Sequence, residues 1–153
     1  MRSIENTLAL WVAGLLSAEQ VKDCASAEIA QAAEPREELF KLVRYGPQEC
    51  LKRAAHDFPL RPGTLSYLQE FSIRALAVSL SSNESALQFA LWAARNCIGQ
   101  ELGPPPVQLG YLLDHLLDDC HDKDAAIVLV QRELPSLLAE CNAIAQSFTE
   151  TGA

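Results

Sequence analysis

The chain is expected to be all-α: a single-domain bundle, spanning residues 1–153, of about seven to eight helices. Three observations carry that expectation. Apolar residues recur at alternating spacings of three and four, most plainly at Ile127, Val130, Leu134, Leu137, Cys141, Ile144 and Phe148, and such spacing lines one face of a helix. Gly, Pro, Ser and Asn fall where helices start and stop. No stretch alternates apolar and polar residues between hairpin glycines, as paired strands require. The chain is 49% apolar and 21% charged, which excludes a disordered tail or a coiled-coil rod. Its length supports a buried core without help from disulfides or metal.

The elements follow in order. Asn6 is placed to cap a short first helix, ended by Gly14, because glycine takes the left-handed conformation that closes a helix. Ser17 followed by Gln20 fits a capping box and opens a helix of about fifteen residues toward Ala32. Pro35 suits a first helical position, and Gly46-Pro47 closes that helix at Tyr45 and starts another. Asp57 to Gly63 holds two prolines and a glycine and is expected to be a loop. Thr64 is read as the cap of an apolar segment reaching about Leu80, and Ser82 or Asn83 as the cap of another ended by Gly99. Both segments are apolar on more than one side, which places them at the centre of the bundle. Gly103-Pro104-Pro105-Pro106 is expected to be extended and polyproline-like. Helices from about Val107 to Asp119 and from about Lys123 to Phe148 complete the chain, the last either kinked or divided at Pro135.

Leu8 to Leu16 has the look of a short signal-peptide core. However, Glu5 offsets Arg2, and Leu16-Ser17-Ala18 lacks a small residue at the first position of a cleavage site. The apolar run is also far below the ~20 residues that cross a bilayer. Cys24, Cys50, Cys97, Cys120 and Cys141 are scattered without a C-x-x-C pair, so all five are read as reduced thiols on apolar helix faces. A cytoplasmic protein is expected.

The charge is more specific. Twelve basic against twenty acidic residues leave a net charge of −8, and nucleic acid repels such a surface. Residues 101–124 alone carry −5: Glu101, Asp114, Asp118, Asp119, Asp122 and Asp124 against Lys123. Asp122 and Asp124 can serve as cap and first turn of the last helix. Asp118 and Asp119 fall instead near a helix C-terminus, where an acidic side chain is disfavoured by roughly 0.3–1 kcal/mol. Folding does not require them there, so the six acidic residues are taken as a docking face for a basic protein partner.

Chemical motifs laid on the same residues are incomplete. Asp118-Asp119-Cys120-His121-Asp122 matches D-D-x-x-D, but 153 residues leave no room for the second acidic motif and cavity that helical prenyl-transfer enzymes need. His56, Asp57, His115, His121 and Asp122 offer nitrogen and oxygen donors of the kind a metal-dependent hydrolase uses, which makes such an enzyme the alternative reading. Asp114, Asp118 and Asp122 lack EF-hand spacing. No phosphate loop or nucleophile elbow is present. Cys120 and His121 would point about 100° apart on a helix, so Cys120 is read as a buried thiol. No cofactor or metal is expected. Arg36, Lys41, Arg44, Lys52, Arg53 and Arg61 are interleaved with Glu37, Glu38, Glu49 and Asp57. That stretch is read as solvated helix faces that could meet the acidic corner of another copy, making an adaptor or homodimer a further alternative.

Trp11-Val12-Ala13-Gly14-Leu15-Leu16-Ser17, followed by Glu19, Val21, Ala25 and Ile29, resembles the opening of small all-helical bacterial immunity proteins. It covers about 30 residues and departs at Asp23-Cys24, where those families often carry a second tryptophan. The resemblance implies a non-enzymatic cytoplasmic protein that neutralises a cognate toxin. An acidic face agrees with it, since a basic toxin would be steered there electrostatically.

Overall fold

In the computed structural model the backbone is described for residues 2–150 and side chains for residues 2–148. Seven α-helices and one π turn are found among the described residues, and no strand. The all-α expectation holds, and the caps explain where each helix lies.

Ser3, not Asn6, opens α1 (Ile4–Val12): its hydroxyl accepts the Asn6 amide at 3.2 Å. The Asn6 side chain is occupied elsewhere, donating to the Phe148 carbonyl at 3.0 Å. Gly14 sits at φ 78° with its amide on Trp11 O, while the Leu15 amide reaches Leu10 O. This pair of bonds satisfies the carbonyls at the helix end. The capping box expected at Ser17 and Gln20 is present, with both bonds made, and starts α2 (Ala18–Gln31). Pro35 lies just outside α3 (Glu37–Leu51), which Gly46 breaks at φ 81°, ψ 166° before Pro47 restarts it.

The loop from Asp57 to Gly63 is non-helical beyond its first turn. Thr64 does not cap α4 (Tyr67–Ala77). Ser66 does, in a second capping box with Gln69, because only Ser66 has a glutamine three places on. Ser82 caps α5 (Asn83–Asn96). The triple proline is only half extended. Pro104 holds polyproline-like angles, but Pro105 and Pro106 already belong to α6 (Pro105–Asp114). Their fixed φ suits a first helical turn, whose amides have no partner within the helix anyway. The π turn His115–Asp119 follows, and α7 (Lys123–Glu150) runs on through Pro135 as one helix.

Contacts group the described residues into two units, 2–65 with 148–150, and 66–147. The first is built on Ile4, Leu8, Val21, Ala25, Leu39, Leu42, Cys50 and Phe58, with Trp11 and Ile29 packed at its edge. Arg36 binds Glu5 at 3.0 Å and Glu28 at 3.4 Å, tying α1, α2 and the start of α3 together.

The second unit is centred on α4, α5 and α6, with Leu113, Val130 and Leu134 fully buried. The two segments expected at the centre of the bundle are the centre of this unit. Tyr67 stacks on Trp92 at 5.4 Å, and Phe71 meets Phe89 edge-on at 5.1 Å. The Tyr67 hydroxyl donates to Pro106 O at 3.0 Å, fixing the first turn of α6. No helix among the described residues is long and apolar enough to cross a membrane.

Candidate functional site

The acidic corner begins where α6 stops being an ordinary helix. Leu109, Gly110 and Leu113 face the core of the second unit, which leaves Leu112 outward, 54% exposed. After Asp114 the backbone widens, and the Cys120 amide donates to His115 O at 3.1 Å, five residues back. His121 then turns the chain at φ 50°, and the Asp122 amide closes onto Leu116 O at 2.9 Å. The Asp122 carboxylate accepts the Ala125 amide at 3.0 Å and caps α7, as the sequence predicts, with Asp124 in the first turn.

Asp118, Asp119, Asp122 and Asp124 are exposed and Asp114 is half-buried, all within this one turn of chain. Glu101 is exposed too but precedes α6. The ten residues of that helix, about 15 Å long, separate the start of α6 from Asp114. The structure thus gathers the five aspartates and leaves Glu101 near the opposite end of α6. Among the described residues no Lys or Arg forms an ion pair with any of the six. Asp119 meets an imidazole instead, its carboxylate 2.8 Å from Nδ1 of His115.

Apolar surface adjoins the corner. Val128 is 56% exposed and lies four residues after Asp124, on the same face of α7. Leu112 and Leu129 line a shallow groove between α6 and α7 together with Pro105, Gln108, Arg132 and Leu137. Arg132 is turned to Glu133 at 2.9 Å.

Three cysteines behave as expected: Cys50, Cys97 and Cys141 are buried. Burial pushes all three thiols up, and for Cys97 the nearby Asp114 charge adds to it. Cys24 is half-buried. Cys120 is exposed, which corrects its reading as a core thiol. Its imidazole neighbour is not His121 but His115, whose Nε2 stands 3.6 Å from Sγ. The reason is the π turn. Residues five apart lie about 140° apart around an α-helix of 3.6 residues per turn, whereas five-residue bonding stacks them. No residue pattern in the sequence announces that widening.

The metal-hydrolase alternative finds no matching geometry. Among the described residues no group of three or more His, Cys, Asp or Glu is arranged to hold a metal ion. His56 is exposed and faces only Asp57, at 3.5 Å. No family model, curated protein or solved structure matches the chain.

Proposed function

We propose that this chain is a non-enzymatic, cytoplasmic binding protein of immunity type, which neutralises a basic protein toxin through the corner from Asp114 to Asp124. One observation carries the reading. Asp118, Asp122 and Asp124 are exposed and pair with no Lys or Arg among the described residues, and Val128, one turn after Asp124 on α7, turns an apolar side chain outward. Protein interfaces join such parts, a few anchors ringed by complementary charge. Concentrated negative charge steers a basic partner to that place and sets its orientation.

The reading is tested by mixing the purified protein with the product of the gene adjacent to its own and following association at several salt concentrations. A complex that forms more slowly as salt rises is expected. Reversing charge at Asp118, Asp122 and Asp124 together to Lys should lower the association rate at least about tenfold. Absence of a complex, or one indifferent to both salt and charge reversal, refutes the proposal.

A further inference from the structure

Cys120, His115 and Asp119 form a relay whose order is chemically meaningful. The Asp119 carboxylate is 2.8 Å from His115 Nδ1, so that nitrogen carries the ring proton and donates it. Nε2 is then left with its lone pair, and the Cys120 thiol stands 3.6 Å from it, within reach of an S–H···N hydrogen bond. A base aligned on a thiol and itself oriented by a carboxylate is the arrangement that activates a cysteine nucleophile. Access is not limiting, since Cys120 is exposed and the side chains of His115 and Asp119 are 61% and 68% accessible. The π turn serves this relay directly: without five-residue bonding at His115–Cys120, thiol and imidazole would lie on different faces of the helix.

We infer that Cys120 is a nucleophilic site for thiol–disulfide exchange with positively charged disulfides. His115 takes the thiol proton at Nε2, and the thiolate attacks one sulfur of the incoming disulfide. A new S–S bond forms at Cys120 as the old one breaks. The departing thiolate collects the proton from His115. Cys120 is oxidised, the released thiol is reduced, and no other oxidant is required. The surroundings select the substrate. Asp118 and Asp122 lie two residues to either side of Cys120 in the chain and pair with no Lys or Arg among the described residues, so a cationic disulfide is drawn in and an anionic one repelled. His115 is the base, and Asp119 is a positioning residue that sets its tautomer. This inference does not depend on the toxin-binding proposal.

The test uses the full chain, reduced, at neutral pH and low salt, with cystamine as cationic disulfide and oxidised glutathione as anionic disulfide. Mass spectrometry after proteolysis locates the adduct. The mixed disulfide should form first at Cys120, with cystamine reacting about tenfold faster than glutathione disulfide and the gap closing as salt rises. His115→Gln should slow the cystamine reaction about fivefold or more. Asp119→Asn should shift the His115 ring proton toward Nε2, read from its nitrogen chemical shifts, and slow exchange. Asp119→Glu should restore both. Since these side chains are exposed, the variants are expected to keep the wild-type circular dichroism. A His115→Phe variant replaces His115→Gln if the latter loses it. Three results would each overturn the inference: a first adduct at another cysteine, a smaller loss on removing the imidazole, or equal rates for the two disulfides at low salt.

Discussion

His121 holds a backbone conformation, φ 50°, that costs a side-chain-bearing residue roughly 1–2 kcal/mol relative to its ordinary region. Glycine has no such penalty. His121→Gly should therefore raise stability by up to about 1 kcal/mol, seen as a higher urea midpoint with an unchanged slope, and the acidic corner should keep its shape. At this scale the sequence was partly legible. Asp122 as cap and Asp124 in the first turn followed from position alone, because caps are local chemistry between residues three apart. The relay of Cys120, His115 and Asp119 was not legible, because it depends on backbone bonding five residues apart that these side chains do not specify.

Among elements, α5 and α6 meet at Gly110, and their closeness is set by an absent side chain. A Cβ there would stand 2.6 Å from the Cys97 Cβ and 2.7 Å from the Tyr67 hydroxyl. The Cys97 neighbour is a main-chain-anchored atom that cannot swing aside. Gly110→Ala should cost about 1–3 kcal/mol by thermal or urea unfolding, and it should disturb the bond from Tyr67 to Pro106. Helix boundaries were largely readable from their caps, as the Ser17–Gln20 and Ser82 starts show. Expected and observed starts differ where two residues compete for one role. Ser66 won over Thr64 by having Gln69 in position, and Ser3 over Asn6 because Asn6 serves a distant carbonyl. The early start of α6 has no signature of its own in the sequence, since proline angles suit an extended segment and a first helical turn equally well.

Over the whole molecule, four acidic groups are shielded from water, Cys50 in the first unit and Tyr67, Cys97 and Cys141 in the second. Burial raises Cys50, Tyr67, Cys97 and Cys141 above their ordinary values. The native state therefore keeps these protons after the unfolded chain has begun to release them. Their stabilising effect is complete about one pH unit below the unfolded thiol value of about 8.5, where nearly every unfolded thiol still holds its proton. It is lost as pH climbs toward the raised values, the thiols first and Tyr67 last. Urea midpoints measured under reducing conditions should fall steadily between pH 8 and pH 11. A flat profile would mean that these groups ionise in place without unfolding. The fold class was readable from periodicity because every element obeys it, whereas the division into two apolar clusters has no local signature and emerges only from packing.

Asn6 donates to the carbonyl of Phe148, a residue grouped with the N-terminal unit. Residues 66–147, by contrast, are contiguous in the chain. During translation every amino acid of that middle stretch is joined to the chain before the last strut of the earlier one is synthesised. The portion made first is thus finished last, and the Asn6 amide must wait through the elongation of some fourteen tenths of a hundred codons, from Asn6 to Phe148, before its acceptor exists.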